Sequence, residues 1–390
     1  MTSYYIGIDI GGSHVGLGLL HSESLELSHE YEVFLENSIL QESLIDLLYT
    51  EIVKLGGQAS SCTILGIGIG CPGQCKNGIL IAAANFQYLR NFSICKLLRD
   101  KISGNSMFSA NCNIVLLNDA DAAISAEVWG KHTAEKYQNY QNIAMITLGT
   151  GIGLGLVLNS NLYQGSNGLV EGGHMIIDTN KQTSRKCGCG QYGCVEAYAS
   201  ASNTAKIYDE TSDPNVFVKT LSLGMLSTPS KKSLGSAKSV FEMASEGDVI
   251  AQQVLNSTYA HLAYLCINIC RIVDPDVIIF GGGMSKGKGL IENVKMCINE
   301  KSWTVLPTLV QLETANPLNN SGILGAALAA KKMTNYKVVD ATSDQYSGNN
   351  KSGDSIVATP VRQSGIHVVV IGAVCFFLGS ISCGLRGYIK

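Results

Sequence analysis

YYIGIDIGGSHVGLGLL, residues 4–20, and IAMITLGTGIGLGLVLN, residues 143–159, have the same form: a strand-like apolar run, a glycine turn and a second strand-like run. Mixed strand-like and helical segments follow each of them. The two stretches therefore predict two related halves, each of which opens with a glycine-turned β-hairpin. The alternative is a chance similarity between two apolar hairpins.

The segments around the hairpins alternate between helical and strand-like patterns. Residues 39–55 and 248–273 carry apolar residues at helical spacing, whereas 63–69 and 113–118 are short apolar runs typical of buried strands. The run that ends at Gly281 adds a further buried strand. Alternation of this kind favours an α/β architecture.

Length and composition limit the class of protein. At 390 residues the chain is long enough for two substantial domains, and its net charge of -3 provides no basic field for nucleic acid. It contains 13 cysteines, but its start, MTSYYIGIDIGG, lacks the basic and apolar regions of a secretory signal. We therefore expect thiols that stay free or bind a metal.

The first two glycine turns are candidate phosphate-binding sites, because glycine lets the backbone approach a ligand and adjacent N–H groups can cradle phosphate oxygens. A dinucleotide-binding loop is excluded, since strand-like sequence follows both turns where that loop would open a helix. No Gly-Lys-Ser/Thr follows either turn, which excludes a Walker-type loop. The alternative is two tight turns without a ligand. The candidate residues are Asp9, Gly11, Gly12 and Ser13 in the first turn and Gly149, Thr150 and Gly151 in the second.

Two further features would complete a nucleotide site. Asp9 is placed to hold Mg²⁺ through water. A third glycine run, Gly281, Gly282 and Gly283, follows a strand and either contacts adenosine or simply ends that strand.

A candidate catalytic carboxylate lies in IVLLNDADAA, residues 114–123. Asn118 and Asp119 follow a buried strand at the edge where open α/β sheets bind ligands. Phosphoryl transfer to a hydroxyl requires a carboxylate that accepts the hydroxyl proton, and Asp119 is our candidate for that base. We interpret Asp121 as a first-turn acid or cap of the following helix.

The most specific motif is EGGH, residues 171–174, followed by CGCGQYGCVE, residues 187–196. Three closely spaced cysteines and an upstream histidine match a closed tetrahedral Cys₃His zinc site, which has no position for a reactive water and is therefore structural. Glu171 and Glu196 flank the ligands and either bind sugar hydroxyls or are ordinary surface carboxylates. Unrelated thiols in a cysteine-rich chain are the alternative for the metal site.

LLNDADAA, ITLGTGIG, EGGH, CGCGQYGCVEAYAS and DPDVIIFGGG resemble, in this order, the motifs of the ROK family of repressors, open reading frames and kinases. The resemblance covers roughly residues 4–332. It implies a two-lobed, actin-like (ribonuclease H-like) α/β ATPase fold with a ligand cleft between the lobes. Residues 1–118 would form the small lobe, completed by a helix near 321–332, and residues 119–320 the large lobe with the zinc motif.

The resemblance also implies roles for individual residues. Asp119 would be the catalytic base, and the family's cofactors would be ATP, Mg²⁺ and a structural Zn²⁺. Members of this kind commonly form homodimers, and their lobes close over the substrate. The implied sugar-binding residues are Gly73, Asn85, Asn118, Asp119, Glu171, His174 and Glu196, and the implied zinc ligands are His174, Cys187, Cys189 and Cys194.

The implied function is an ATP-dependent hexose kinase, a phosphotransferase that acts on the 6-hydroxyl of glucose. A kinase for N-acetylglucosamine or N-acetylmannosamine is the main alternative, and a fructokinase is another. A non-catalytic sugar-binding sensor disagrees with the retention of Asp119 and the complete Cys/His motif. Repressors of the family carry a DNA-binding domain before the first hairpin, whereas Asp9 comes almost at once here, so we expect no nucleic-acid partner.

The chain departs from the family pattern in three places. Ser13 and His14 replace the Thr and Lys of the usual GGTK turn, and Leu154 stands where glycine is common. Residues 211–239 are rich in Ser, Thr, Lys and Pro, and they predict a surface excursion that is longer than typical. The first two departures concern the phosphate turns and ATP affinity more than the class of reaction.

The C-terminal part predicts a membrane anchor. Residues 333–364 are polar and typical of a linker. Residues 366–385 contain no Asp, Glu, Lys or Arg and could cross a hydrocarbon core of about 30 Å at about 1.5 Å per residue. We therefore expect a tail anchor over 365–386 with the kinase facing the cytosol. A buried extra helix or strand pair is the alternative.

Overall fold

The fold is built on two five-stranded β-sheets with helices packed against them, together with an antiparallel two-stranded sheet of residues 74–76 and 79–82. The computed structural model describes residues 2–36, 38–59, 62–83, 86, 89–180, 182–212, 235–303, 305, 307–319, 321–333 and 338. Its strands are β1 (Thr2–Ile10), β2 (His14–His21), β3 (Leu27–Phe34), β4 (Cys62–Gly70), β5 (Gln74–Lys76), β6 (Ile79–Ala82), β7 (Phe108–Leu117), β8 (Ile143–Leu148), β9 (Ile152–Leu158), β10 (Asn161–Leu162), β11 (Val277–Gly281) and β12 (Gln311–Thr314).

The helices lie between these strands and after the last of them. In chain order they are α1 (Gln41–Gly57), α2 (Ile94–Ile102), α3 (Asp119–Trp129), α4 (Ala134–Tyr137), α5 (Glu196–Ala199), α6 (Ala201–Thr211), α7 (Ala237–Ser245), α8 (Val249–Val273), α9 (Leu290–Lys301) and α10 (Ser321–Lys332). The expected α/β architecture is therefore confirmed.

The first sheet has the strand order β3-β2-β1-β4-β7. The strands of the predicted first hairpin pair in antiparallel fashion, while β1, β4 and β7 run parallel, so their carboxyl ends share one edge. Helix α10 packs closely on this sheet because β1 and β4 contain glycines. A Cβ added at Gly7 would lie 1.9 Å from the carbonyl oxygen of Ile323.

The second sheet has the order β10-β9-β8-β11-β12 and repeats this arrangement. The predicted second hairpin pairs β8 with β9, and β8 and β12 flank β11 in parallel. One face packs on α8 and the other on α3. Helix α3 also contacts α10, where a Cβ at Gly325 would lie 1.8 Å from the carbonyl oxygen of Ala122.

Most of the predicted elements are present near the expected bounds. The helices predicted over 39–55 and 248–273 are α1 and α8, and the strand over 63–69 is β4. Helix α8 begins where the side chain of Asp248 accepts the N–H of Ala251 at 2.8 Å. The excursion predicted over 211–239 lies outside the described residues from 213 to 234, and α7 begins within its last part.

The prediction of a membrane anchor is contradicted. No helix among the described residues combines the length and the apolar character that a bilayer crossing requires. The longest of them, α8, is polar on one face, with Gln252 and Asn256, and buries its apolar face in the second core. Residues 365–386, on which the anchor prediction rested, and the linker 333–364 except 333 and 338 lie outside the described residues. We therefore withdraw the membrane partner and the membrane-anchored location.

Candidate active site

The candidate base, Asp119, lies two residues after the end of β7, at the edge of the first sheet where β1, β4 and β7 have their carboxyl ends. Asn118 caps α3, because its Oδ1 accepts the N–H of Asp121 at 2.6 Å. Asp119 is the first residue of α3, and its Oδ1 accepts the N–H of Ala120 at 2.9 Å. The carboxylate of Asp119 lines a cavity of about 720 Å³.

This cavity brings together residues that are distant in the sequence. It extends from the carboxylates around Asp119 to the glycine run after β11, and it is lined by most of the predicted site residues. The predicted residues that line the cavity are Gly73, Asp119, Gly149, Thr150, Gly151, Glu171, His174, Glu196, Gly281, Gly282 and Gly283.

Other predicted residues lie elsewhere. Asn118 serves as the helix cap, and Asn85 lies outside the described residues. The first turn is closed on itself, since the N–H of Gly11 donates to the carbonyl oxygen of His14 at 2.8 Å. The predicted residues Asp9, Gly11, Gly12 and Ser13 are not among those that line the cavity.

Asp9 nevertheless lies close to the candidate base. Burial raises the pKa of Asp9, and the charges of Asp119 and Glu32 raise it further. Helix α10 begins directly against this carboxyl group, because a Cβ at Gly322 would lie 2.0 Å from Asp9 Oδ2. Carboxylate oxygens are the ligands that Mg²⁺ prefers, so Asp9 and Asp119 fit a divalent cation.

The second turn and the third glycine run leave room at the cavity wall. No heavy atom lies within 4 Å of a Cβ added at Gly149 or at Gly283. Gly282 has φ +81°, and a Cβ there would lie 2.4 Å from the carbonyl oxygen of Leu148. Both segments therefore present backbone to the cavity at positions where a side chain would intrude or strain the chain.

The end of the cavity near Asp119 carries several acidic groups. Glu171 precedes a single 3-10 turn, Gly172–His174, that presents His174. Burial raises the pKa of Glu171, His174 opposes that shift, and Asp119 and Glu196 add to it. These carboxylates and the imidazole can accept and donate hydrogen bonds to a polyhydroxyl ligand.

The four predicted zinc ligands form one cluster. The ligand atoms of His174, Cys187, Cys189 and Cys194 all lie within 4.8 Å of one another. Nδ1 of His174 lies 3.7 Å from Sγ of Cys187, and the Sγ atoms of Cys189 and Cys194 are also 3.7 Å apart. Tetrahedral zinc with bonds of about 2.3 Å separates its sulfur ligands by about 3.8 Å, so these donors fit a closed zinc site.

Sequence reasoning missed the role of Asp121. This side chain is buried rather than at the helix surface, and its Oδ2 accepts Nε2 of Gln164 at 3.1 Å. Burial raises its pKa to about 7, against the opposing effect of the Gln164 hydrogen bond, and its Oδ1 has no partner among the described residues. The sequence did not indicate the burial of Asp121, because an exposed acid and a buried acid in the first turn of a helix have the same local pattern.

Sequence reasoning also missed the contact between β5 and the loop that leads to Glu171. Nε2 of Gln74 donates to the carbonyl oxygen of Asn167 at 2.7 Å, and Nζ of Lys76 donates to its Oδ1 at 2.9 Å. Gly168, with φ +62°, packs so closely that a Cβ would lie 2.1 Å from the carbonyl oxygen of Cys75. This loop therefore joins the two-stranded sheet of β5 and β6 to the segment that follows β10 of the second sheet.

Comparison with known proteins agrees with this arrangement. The sequence of residues 5–333 matches the family model of the ROK family. A glucokinase of Halalkalibacterium halodurans is 27% identical over 341 residues, which cover 85% of this chain and 96% of that protein. An N-acetylmannosamine kinase of Yersinia pestis is 28% identical over 328 residues, covering 84% of this chain and 98% of that protein.

Solved structures share the fold at lower identity. A ROK family glucokinase of Streptomyces griseus, crystallised with glucose and AMPPNP, superposes with a TM-score of 0.61 at 23% identity. The match covers 84% of this chain and 99% of that one. The two-lobed, actin-like fold expected from the sequence is therefore confirmed.

Proposed function

Because this chain belongs to the ROK family, we propose that it is an ATP-dependent hexose kinase that phosphorylates the 6-hydroxyl of glucose. The observation that carries the proposal is the joint placement of Asp119, the glycine turn at Gly149–Gly151 and the acidic residues Glu171 and Glu196 around one cavity. A carboxylate base, backbone donors for phosphates and a polar sugar site are the parts that this reaction needs.

In the proposed reaction the 6-hydroxyl oxygen attacks the γ-phosphorus, and the bond from that phosphorus to the β,γ-bridging oxygen breaks to release ADP. Asp119 accepts the hydroxyl proton as the new P–O bond forms. Backbone N–H groups of the second turn stabilise charge on the phosphate oxygens. Bound Mg²⁺, for which Asp9 and Asp119 fit, would neutralise further phosphate charge.

Glu171, His174 and Glu196 orient the sugar in this proposal, together with Gly73. His174 has two ring nitrogens, and its Nδ1 faces Cys187, so its other nitrogen is left for a sugar hydroxyl. The zinc cluster would then keep the imidazole in a fixed orientation. Residues 1–118 with the helix over 321–332 would close against residues 119–320 and exclude water from the γ-phosphoryl group.

An N-acetylhexosamine kinase is the second candidate, because an N-acetylmannosamine kinase is about as similar to this chain as a glucokinase is. The two activities differ in the room and polarity required around the 2-substituent of the sugar.

The test is a coupled assay of ADP formation by the purified full chain with MgATP. Glucose, N-acetylglucosamine, N-acetylmannosamine and fructose are compared at equal concentrations, and we expect the highest kcat/KM for glucose. A higher value for an N-acetylhexosamine would replace the glucose assignment. Absence of turnover on all four sugars, together with tight sugar binding, would overturn the kinase proposal in favour of a sensor.

A further inference from the structure

Glu196 contacts both the metal cluster and the second glycine turn. It begins helix α5, two residues after the cluster residue Cys194. Its Oε2 accepts the backbone N–H of Ile152, the first residue of β9 after the second turn, at 2.9 Å. Its Oε1 lies 3.4 Å from Sγ of Cys187. One side chain therefore spans the distance from the proposed zinc site to the proposed phosphate site.

The turn is shaped to receive this carboxylate. A Cβ added at Gly151 would lie 2.4 Å from Oε2 of Glu196, so a larger residue would displace the carboxylate. A second contact to the turn comes from the start of α6. The N–H of Ala201 donates to the carbonyl oxygen of Gly149 at 3.0 Å. The backbone between Gly149 and Ile152 is therefore held from the side of the cluster.

We propose that Glu196 is a positioning residue for the nucleotide, which braces the second glycine turn from α5, the helix that directly follows the Cys/His cluster, and thereby sets the affinity for ATP even when no sugar is bound. This inference rests on the proposed function, since it assumes that the turn binds phosphates. It differs from the role of a sugar ligand, which would affect nucleotide binding only through the sugar.

The physical basis is preorganisation. A turn whose N–H groups are already aimed at the phosphates loses less conformational freedom when ATP binds than a turn that must first become ordered. The hydrogen bond from Ile152 to an ionised carboxylate is of the stronger, charge-assisted kind. Its loss would leave the backbone of Gly149–Ile152 held by the β8-β9 pairing, the hydrogen bond from Gly149 to Gly151 and the contact from Ala201, without the contact to the carboxylate.

The test is calorimetric titration of the zinc-loaded full chain with a non-hydrolysable ATP analogue and Mg²⁺, without sugar. We expect Glu196→Ala to weaken binding about tenfold, the effect of losing one hydrogen bond to a charged group. Glu196→Gln should stay within about threefold of the wild type, because its amide oxygen can still accept the N–H of Ile152. Glu300→Ala, which removes an exposed carboxylate of α9 that does not line the cavity, is the control and should leave nucleotide affinity unchanged.

A double-mutant cycle separates bracing from general damage. If the methyl group of Gly151→Ala acts by displacing Glu196, that substitution should weaken binding in the wild type but have little further effect in Glu196→Ala. Fully additive losses, or an unchanged affinity in Glu196→Ala, would overturn the inference. If Glu196→Ala does not fold, Glu196→Asp, which is too short to reach Ile152, takes its place with the same expectation.

The outcomes also distinguish this inference from the proposed function. A wild-type chain that binds no nucleotide would refute both. A wild-type chain that binds nucleotide and phosphorylates glucose, with Glu196→Ala binding equally well, would refute the bracing role alone.

Discussion

The backbone N–H of Asp121 donates a hydrogen bond of 2.6 Å to Oδ1 of Asn118, and this contact sets the first turn of α3. Because Asp119 lies between these two residues, the cap determines where its carboxylate can point. The side chain of Asp121 turns instead into the interior, toward Gln164. Two acids in one helical turn thus occupy different environments, which allows their roles to be tested separately.

Asp119→Asn should abolish phosphorylation while sugar binding is retained. The amide keeps the size of the side chain but cannot accept the hydroxyl proton, so we expect kcat to fall about 10³-fold. The dissociation constant for the sugar, measured by calorimetry, should stay within about threefold of the wild type. The control is Asp100→Asn in α2, an exposed acid paired with Lys96, which should keep the wild-type kcat. Normal turnover in Asp119→Asn would show that another group is the base.

Asp121 should make stability depend on pH. Burial raises its pKa from 3.8 to about 7 in the folded chain. The contribution of Asp121 to the free energy of unfolding is therefore fully present below pH 3.8 and is lost as pH rises through 7. In Asp121→Asn the amide does not ionise, so the free energy of unfolding does not fall with pH for this reason. Between pH 5 and pH 8 the free energy of unfolding of the variant should therefore rise relative to the wild type by about 3 kcal/mol.

Urea unfolding of both proteins at several pH values measures this difference. The relevant quantity is the change in the difference with pH, because the substitution itself alters stability by a constant amount. The charged neighbours that raise the pKa of Asp121 are Asp119 and Glu171, so Glu171→Gln should reduce the pH dependence slightly. A difference that does not vary with pH would mean that Asp121 is ionised throughout this range.

Removal of one cluster ligand should release the metal. Cys194→Ser should lower the zinc content from about one ion per chain toward zero and lower the thermal unfolding temperature by about 10 °C, since structural zinc contributes to folding. Cys297→Ser in α9 is the matched control, because this free thiol lies outside the metal cluster. Its zinc content, measured by atomic emission, should equal that of the wild type. Full zinc occupancy in Cys194→Ser would refute the Cys₃His site.

Gly168→Ala should weaken the contact between β5 and the loop that leads to Glu171. The added methyl group meets the carbonyl oxygen of Cys75 at a backbone φ of +62°, so we expect a loss of about 2 kcal/mol in the free energy of unfolding. The KM for sugar should rise more than the KM for ATP. Gly57→Ala at the end of α1, where a Cβ meets nothing within 4 Å, should change neither KM.

Much of the fold was predictable from local patterns. Both hairpins, α1, β4 and α8 lie where apolar spacing and glycine turns predicted them, because each pattern reflects the burial of a single element. The Cys/His cluster was predictable for a similar reason, since Cys187, Cys189 and Cys194 are close in sequence and their spacing already limits the geometry. Membrane attachment was wrongly predicted from the length and lack of charge of residues 366–385.

The candidate site was only partly predictable. Motifs identified Asp119 and the second glycine turn, but they did not reveal that the first turn stays off the cavity wall. The contact of Gln74 with Asn167 joins a strand of the two-stranded sheet to a distant loop, and nothing in either local sequence indicates it. Such contacts depend on how the elements pack, which single-segment patterns do not contain.

The amino-acid sequence by itself determined the two hairpins, the α/β class and the residue types needed for phosphoryl transfer, because these follow from local periodicity and chemistry. Only the tertiary structure decided which of two neighbouring acids is buried, and that Glu196 reaches the backbone of Ile152. The physical reason is that burial and hydrogen bonding between distant segments are set by the packing of α3, α5 and the two sheets, and no single segment encodes that packing.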